Sequence, residues 1–464
     1  MVAIGSIASW QPGRGPVTTW TASSASREIM ARAGRDPMPP SFQQAQHLIT
    51  AHRAKADGRD VPRLIMASWE IEGWCDVAAM TEAINAHIRR HDTYRSAFEI
   101  DGETVIRRTI DDPDRIEFIP TALGFMEQDE IRTHLLSATP DTLEWDCFTF
   151  GVVQKADHFI VYANVDHLHT DGSSAMVIYR DIDVTYHAVV NELPDALPPT
   201  AGYRDFTVRQ HLQTNAMTLD SRPIKDWVDF AREADGDWPG FPLEVGDTSA
   251  GTAGRVVTVE LLNSEETAAF DQAYRAAGAR LSGAIMAGAA LAEQQLTGAE
   301  TFRGFTPSDS RTAVHSASAG WYASIFPITV EVGNGDFAQA ARSAQKSFDA
   351  NKHLAAVSLK RVMELASADG LGATLASGPL MMVSLFDFRK THDANASRLG
   401  IYIDNLSRGD VNVWITRNVD QTIATVSFPD TPEARNSVHL YLGVLREVFT
   451  DAAKRTAGRV DEVA

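Results

Sequence analysis

The chain has 464 residues, of which 44% are apolar and 22% charged, with a formal net charge of −19. This composition is that of a globular protein, and the length predicts two or three domains. The excess of 61 acidic over 42 basic residues argues against nucleic acid or an anionic lipid surface as the main partner. With only two cysteines, Cys75 and Cys147, a disulfide scaffold and a cysteine-rich zinc site are excluded.

The N-terminus and the hydropathy of the chain bear on its location. The N-terminal residues show no basic region followed by an apolar core, which is the pattern of a signal peptide. No stretch reaches the roughly 18 apolar residues that a membrane helix needs. We therefore expect a cytoplasmic protein.

The first ninety residues predict an arm, a strand and two helices. Residues 1–40 are rich in Pro, Gly, Ser and Thr, which predicts an irregular N-terminal arm. Residues 41–53 are typical of a helix that is capped by its first residue, a serine. Residues 66–71 predict a strand. Apolar residues at spacings of three and four over 77–88 predict an amphipathic helix capped by Asp76.

The middle of the chain predicts two strands that lead into a polar loop. Residues 148–152 alternate as in a half-buried strand, and residues 155–158 predict a turn into the next strand. That strand, residues 159–165, is apolar nearly throughout, as is typical of a strand covered on both faces. It runs directly into residues 166–172, and a long helix is predicted to follow from about residue 173 to 191.

A change in composition divides the chain. Residues 192–250 carry many Pro, Gly and Asp residues and predict a domain boundary, with lobes at 41–222 and 223–464. The second lobe is predicted to contain strands at 256–261, 325–332, 380–386 and 412–417, a helix opened by a capping box of Asn263 and Glu266, and an Ala-rich helix at 282–296. Because strands and helices mix in both lobes, the predicted class is α/β or α+β.

The polar loop is the strongest candidate for a site. Residues 166–172 hold two imidazoles and two carboxylates at the predicted junction of a strand and a helix. His167 is a candidate general base, because an imidazole titrates near neutral pH. Asp171 would hold the turn by pairing with a distant arginine. Gly172 allows close approach of a substrate, and its N–H at the helix start is a candidate donor to an oxyanion.

Two other interpretations of the loop compete with the general base. His167, His169 and Asp171 form a His-x-His-x-Asp pattern, as in dinuclear zinc hydrolases of the metallo-β-lactamase type. That signature continues with a second histidine, whereas Gly172 stands there in this chain, so we favour a metal-free site. The other interpretation is a polar turn with surface histidines. For His169 itself we expect a channel-lining or structural role.

Four segments in order resemble a known superfamily. Residues 166–172, Asp-His-Leu-His-Thr-Asp-Gly, resemble the His-His-x-x-x-Asp-Gly motif of the superfamily of condensation domains and chloramphenicol acetyltransferase. Residues 90–98, Arg-His-Asp-Thr-Tyr-Arg-Ser-Ala-Phe, resemble its Arg-His-x-x-Leu-Arg segment. Residues 41–48 resemble its first helix, and residues 308–311 and 320–328 resemble its Gly-Arg…Gly-x-Phe-Val-Asn-x-x-Pro stretch. Two departures stand out: Asp166 replaces the first motif histidine, and the Asp-Phe-Gly-Trp-Gly motif of many relatives is missing.

The N-terminal arm narrows the resemblance. Residues 9–23 and 39–48 are similar to the polyketide-associated (Pap-type) acyltransferases, in the branch that acylates trehalose for cell-envelope glycolipids. The resemblance implies the α/β class, as a two-layer sandwich, with two chloramphenicol-acetyltransferase-like lobes in a V shape and a channel between them. It implies that His167 takes the proton of a sugar hydroxyl, that Asp171 forms a salt bridge with Arg311 across the lobes, and that Asp166 orients the loop.

The resemblance therefore implies an O-acyltransferase that transfers groups other than aminoacyl groups. The donor would be a fatty or polyketide thioester, either acyl-CoA or an acyl carrier of a polyketide synthase, and the acceptor trehalose or a trehalose glycolipid. Acyl-CoA is then a substrate, and neither a cofactor nor a metal is expected. We expect a monomer, and we leave open an association with a lipid transporter or the inner face of the plasma membrane. The alternatives are a non-catalytic module that binds acyl carriers or lipids and the zinc hydrolase.

Overall fold

A computed structural model describes residues 3–102, 104–194, 196–234, 239–248, 253–368, 380–389, 399–404, 406–407 and 409–461. The strands are β1 (Ala3–Ser6), β2 (Gly15–Ala22), β3 (Gly34–Asp36), β4 (Leu64–Glu72), β5 (Ser96–Asp101), β6 (Thr104–Thr109), β7 (Phe118–Met126), β8 (Phe148–Gln154), β9 (His158–Asp166), β10 (Gly254–Leu262), β11 (Thr301–Asp309), β12 (Ala323–Glu331), β13 (Met381–Asp387), β14 (Gly400–Ile403), β15 (Val411–Arg417) and β16 (Thr422–Pro429). The helices are α1 (Ser24–Ala31), α2 (Phe42–Ala56), α3 (Val77–Arg90), α4 (Gln128–Ala138), α5 (Gly172–Val190), α6 (Tyr203–Asn215), α7 (Arg222–Glu233), α8 (Ser264–Ala276), α9 (Leu281–Thr297), α10 (Phe337–Asn351), α11 (Leu359–Ala368) and α12 (Pro432–Asp461).

The chain divides into two compact units. The first contains the described residues within 1–215, 309–323 and 393–404, and the second contains the described residues of the remaining segments. This division differs from the predicted lobes of 41–222 and 223–464, because two segments from the second half of the sequence return to the first unit. One of them contributes β14 to the sheet of the first unit, and the other contains Arg311.

The first unit is built on a seven-stranded sheet in the order β1-β14-β4-β9-β8-β2-β7. Strand β9 lies at its centre and pairs antiparallel with both β4 and β8. Every residue of β9 after His158 is buried, because the apolar run of this strand is covered on both faces. The structure therefore confirms the predicted buried strand, and it places the polar loop at the end of the central strand.

Residues 3–40 include three strands and a helix, β1, β2, α1 and β3, and are not an irregular arm. Strand β2 lies inside the large sheet, between β8 and β7, and the Trp20 side chain is fully buried. Trp10 is also buried, and its Nε1 donates a hydrogen bond to Ser68 Oγ on β4 at 3.2 Å. The prediction differs from the structure because it was based on the Pro, Gly and Ser content. The β-branched residues around Trp20, Val-Thr-Thr-Trp-Thr, carry the strand signal.

The predicted helix starts are confirmed by their capping bonds. Ser41 and Gln44 form a reciprocal capping box at α2, and Asp76 accepts two backbone N–H bonds at the start of α3. Asn263 and Glu266 form the capping box of α8. Side chains of this type satisfy N–H groups that have no partner inside the helix, which explains why the sequence locates these starts well.

The second unit is built on a six-stranded sheet in the order β10-β16-β15-β13-β11-β12. The Ala-rich helix is α9, and residues 283–292 of it are buried in the core of this unit. The predicted boundary at 192–250 contains two helices, α6 and α7. Helix α7 packs Ile224, Trp227 and Val228 into the core of the second unit, at the spacing that an amphipathic helix requires. None of the described helices has both the length and the apolar character needed to span a bilayer.

Candidate active site

The polar loop connects the central strand to a capped helix in a few residues. The backbone N–H of His167 donates to the carbonyl of Arg63 at 2.6 Å, which fixes the loop to the residue that precedes β4. Asp171 is the N-cap of α5, and its carboxylate accepts the N–H of Ser174 at 2.8 Å. Both ends of the loop are therefore held by hydrogen bonds, and the bond at the first end is made by the backbone of His167 itself.

The His167 ring lies against an aromatic side chain. Its centroid is 3.7 Å from that of Trp321, with 32° between the two planes. Its Nδ1 is buried and forms no hydrogen bond with another described residue, whereas the residue as a whole is partly exposed. Burial, and then the neighbouring His47, lower the pKa of His167 to about 4. The ring is therefore uncharged at neutral pH, with a pKa below the near-neutral value that the sequence predicted.

Both carboxylate oxygens of Asp171 are bound by other described residues. Nη1 and Nη2 of Arg311 bind its two carboxylate oxygens at 3.1 and 3.0 Å. The backbone N–H groups of Tyr322 and Ala323 donate to Oδ2 at 2.9 and 3.0 Å. Burial raises the pKa of Asp171, but Arg311 and these hydrogen bonds lower it by more, so that the net shift is downward. Asp171 is therefore ionised and has no free role as a base.

Arg311 is buried in the same unit as Asp171. Its Nη2 also donates to Ser174 Oγ at 2.6 Å, and its guanidinium lies 4.1 Å from the ring centre of Tyr322. Both partners of the ion pair belong to the first unit, which differs from the predicted pair across two lobes. The pair ties residues 309–323, including Trp321, to the start of α5. Such a buried pair shapes the site more than it adds to stability.

Asp166 has a complete set of partners although it replaces a histidine of the family motif. Its Oδ1 accepts bonds from His47 Nε2 at 2.8 Å and from the N–H of Leu168 at 2.9 Å. Its Oδ2 accepts bonds from Thr142 Oγ1 at 2.6 Å and from Arg63 Nη1 at 3.2 Å. Burial raises the pKa of Asp166, but His47, Arg63 and Thr142 hold it below its usual range. The replacement therefore leaves a well-ordered, charged anchor in the loop.

Gly172 is the first residue of α5 and is half-buried. The first N–H groups of a helix have no acceptor within the helix and carry its positive dipole end. The position is therefore suited to an anion, and the oxyanion role of Gly172 stays a prediction.

The three residues of the zinc hypothesis do not converge. The ring of His169 is buried among Tyr94 and Phe148, its Nδ1 lies 3.0 Å from Thr93 Oγ1, and burial lowers its pKa to about 4. Asp171 is taken by Arg311. The geometry therefore gives no support to a metal centre formed by these three residues, and the channel-lining or structural role of His169 stays a prediction.

Another cluster with metal-ligand residue types, His87, His91 and Asp181, is present among the described residues. The N–H of Ala319 donates to His91 Nδ1 at 3.2 Å, so His91 Nε2 carries the proton that it donates to Asp181 at 2.7 Å. Arg90 Nε lies 3.1 Å from the same carboxylate oxygen. A metal ion would need the lone pair of Nε2, so this cluster is an ion-pair network that holds residue 319.

Among the residues that contact the loop, sequence reasoning missed His47, Arg63 and Trp321. His47 lies within a helix that was correctly predicted, but nothing in its spacing points to Asp166. Arg63 precedes a strand and carried no signal. Trp321 lies inside one of the four segments with family resemblance, which was the available signal for its position beside His167.

Comparisons with known proteins show which family the chain resembles. Residues 64–367 match the condensation domain family. The chain is 40% identical over 470 residues to the 2'-acyl-2-O-sulfo-trehalose (hydroxy)phthioceranyltransferase PapA1 of Mycobacterium tuberculosis (strain CDC 1551 / Oshkosh), covering 100% of this chain and 91% of that protein. It is 38% identical to Acyltransferase PapA3 of the same strain, covering 100% of this chain and 99% of that protein.

Solved structures are similar over almost the whole chain. The structure of a PapA2 acyl transferase matches with a TM-score of 0.91 and 39% identity, over 97% of this chain and 99% of that one. The X-domain from teicoplanin biosynthesis matches with a TM-score of 0.69 at 17% identity, over 90% of this chain and 97% of that one. The predicted fold class, α/β with chloramphenicol-acetyltransferase-like lobes, is confirmed. The V-shaped arrangement with a channel stays a prediction.

Proposed function

The chain belongs to the condensation domain family and, within it, to the Pap acyltransferases, and we propose that it transfers an acyl group from a thioester to a hydroxyl of a trehalose-type acceptor. The observation that carries the proposal is the uncharged ring of His167, a partly exposed residue in the loop that leads into α5. The acceptor class is supported by the names of two relatives. PapA1 is named for an acylated sulfo-trehalose, and a third relative, 39% identical, is the trehalose-2-sulfate acyltransferase PapA2.

The proposed reaction uses one proton carrier. Because Nδ1 of His167 is buried, Nε2 is the nitrogen that the acceptor hydroxyl reaches. Nε2 takes the hydroxyl proton while the oxygen attacks the thioester carbonyl, and a C–O bond forms. The tetrahedral intermediate collapses, the C–S bond breaks, and the imidazolium returns the proton to the thiolate. The carboxylates of Asp171 and Asp166 favour the transient imidazolium, since both raise the pKa of His167.

The start of α5 would stabilise the negative charge of the intermediate. Backbone donors aimed at a developing oxyanion are among the largest contributions to catalysis of acyl transfer. Gly172 offers such a donor without a side chain in the way. Asp171 and Arg311 act as structural residues that keep this helix end and the Trp321 segment in place.

The remaining features of the proposal concern partners and place. The donor is an acyl-CoA or an acyl carrier of a polyketide synthase, used as a substrate, and no cofactor or metal takes part. We propose a cytoplasmic monomer that does not bind nucleic acid. An association with a lipid transporter or the inner face of the plasma membrane follows from a lipid product, and it remains part of the proposal.

The proposal is tested by incubating the full chain with palmitoyl-CoA and trehalose or trehalose-2-sulfate. Free thiol is measured with a chromogenic reagent and acylated sugar by mass spectrometry. We expect both products, and only when donor and acceptor are present together. Binding of palmitoyl-CoA without either product would favour the non-catalytic module instead. Activity that depends on stoichiometric zinc, measured by elemental analysis, would favour the hydrolase.

A further inference from the structure

His47 on α2 lies next to the proposed base, in a position to which the reaction assigns no role. Its side chain is almost fully buried, and its Nε2 lies 2.8 Å from Asp166 Oδ1. Because an ionised carboxylate only accepts, the Nε2–H of His47 donates this bond. The imidazole is thereby fixed to the residue that immediately precedes His167.

The same ring also contacts the aromatic side chain that covers the base. The centroids of His47 and Trp321 are 5.5 Å apart with the planes at 74°, which is an edge-to-face contact. Trp321 in turn lies on His167, and the centroids of the two imidazoles are 6.4 Å apart. His47 therefore supports the base from two directions, through a hydrogen bond to its neighbour and through the ring that packs on it.

Helix α2 holds the loop at a second point, one turn away. Gln44 Nε2 donates to the carbonyl of Leu168 at 2.8 Å, and residues 44 and 47 lie on the same face of the helix. Gln43 Nε2 donates to the carbonyl of Ala323 at 3.3 Å. Helix α2 thus contacts the loop that carries His167 and also the segment that carries Trp321. Of the three α2 side chains, His47 is the one that contacts both.

We propose that His47 is a positioning residue for the acyl transfer, which orients the His167 ring through Asp166 and Trp321. This inference rests on the proposed function, because it assigns His47 a part in the same reaction. The charged and titratable groups that face His167 are His47 from α2, and Asp166 and Asp171 from the loop; Arg63 and Arg311 pair with the two carboxylates. Of these groups, His47 is the one that lowers the pKa of His167 after burial.

The variant His47→Gln tests the inference. Glutamine keeps an N–H donor for Asp166 but removes the ring that packs on Trp321. We expect kcat to fall by about tenfold to a hundredfold, the scale of small misplacements of reacting groups, with little change in KM. The acid limb of the pH profile should move to higher pH. The matched control is His52→Gln, on the exposed side of the same helix, which should behave as wild type.

Three readouts separate the outcomes. The ionisation of His167, followed by NMR of its labelled ring, does not depend on turnover, so a higher pKa in His47→Gln shows that His47 acts on the His167 ring whether or not the proposed function holds. A wild-type kcat and pH profile in His47→Gln, in an enzyme that His167→Ala inactivates, overturns the inference and leaves the function standing. If His47→Gln and His47→Asn both lose the fold by circular dichroism, His47 only supports the fold, and the inference is also overturned.

Discussion

Arg311 and Asp171 lie 140 residues apart in the sequence and form a two-point ion pair, with Nη1–Oδ2 and Nη2–Oδ1 distances of 3.1 and 3.0 Å. The pair joins a segment from the second half of the chain to the helix that follows the candidate base. The position of Trp321 on His167 therefore depends on a contact between distant parts of the sequence.

Removal of the Arg311 side chain should lower the free energy of unfolding. Arg311→Ala leaves a buried carboxylate without its charged partner, and such losses amount to about 3–5 kcal/mol. Chemical denaturation followed by tryptophan fluorescence measures the change. Arg59→Ala is the control, because the Arg59–Asp57 pair is exposed and surface pairs contribute about 0–1 kcal/mol. Equal effects of the two variants would contradict the structural role of Arg311.

Trp321 should affect the chemistry more than the fold. Trp321→Ala uncovers His167, so the pKa of its imidazole should rise from about 4 toward its ordinary value as burial is lost. Loss of orientation should reduce kcat by about tenfold or more. NMR titration of the ring and steady-state kinetics measure these changes. Trp74→Ala, at a side chain that is 72% exposed, should change neither.

Folding stability should decrease on acidification. Burial lowers the pKa values of His91, His167 and His169 to about 4. Between about pH 6.5 and 4 the unfolded chain therefore binds protons that the folded chain does not, and each histidine removes at most about 1.4 kcal/mol per pH unit. Burial raises the pKa values of Asp404 and Glu293 to about 6 and about 7, so these two groups increase folding stability on acidification. Because they are two groups against three histidines, the net change should still be a loss of stability. Denaturation at about pH 7 and about pH 5 should show a lower free energy of unfolding at the lower pH, and a higher one would contradict the assignment.

The packing between strands β8 and β9 should not accommodate a side chain larger than that of glycine at position 151. A Cβ at Gly151 on β8 would lie close to the ring of Tyr162, its cross-strand partner on β9. Gly151→Ala should destabilise the protein by about 1–3 kcal/mol through overpacking. Gly34→Ala, where nothing lies within 4 Å of the added carbon, is the matched control and should be close to neutral. If thermal unfolding shows that Gly151→Ala is as stable as wild type, the packing between Gly151 and Tyr162 is looser than described.

The sequence predicted the elements around the site where local signals were strong. The apolar run of β9 and the side-chain caps Ser41 and Asp76 depend on neighbours in the chain, so their positions can be inferred without a structure. Strand β2 was not predicted because the Pro, Gly and Ser content of the N-terminal residues was given more weight than the β-branched residues of the strand.

Contacts between residues that are far apart in the sequence could not be predicted from local patterns. His47 and Asp166 are 119 residues apart, and their hydrogen bond exists only because α2 packs on the end of β9. Likewise, the assignment of residues 309–323 to the first unit follows from the bonds of Arg311 and the Tyr322 N–H to Asp171. Periodicity and spacing describe single elements, and they do not say which elements meet.

The central claim is that the uncharged ring of His167 accepts the proton of the acceptor hydroxyl. The most direct measurement is the rate of acceptor-dependent thiol release from palmitoyl-CoA by wild type and by His167→Ala, with circular dichroism to compare their folds. Loss of a positioned base should reduce the rate by about a hundredfold to ten-thousandfold. A folded His167→Ala variant that releases thiol at the wild-type rate would contradict the claim.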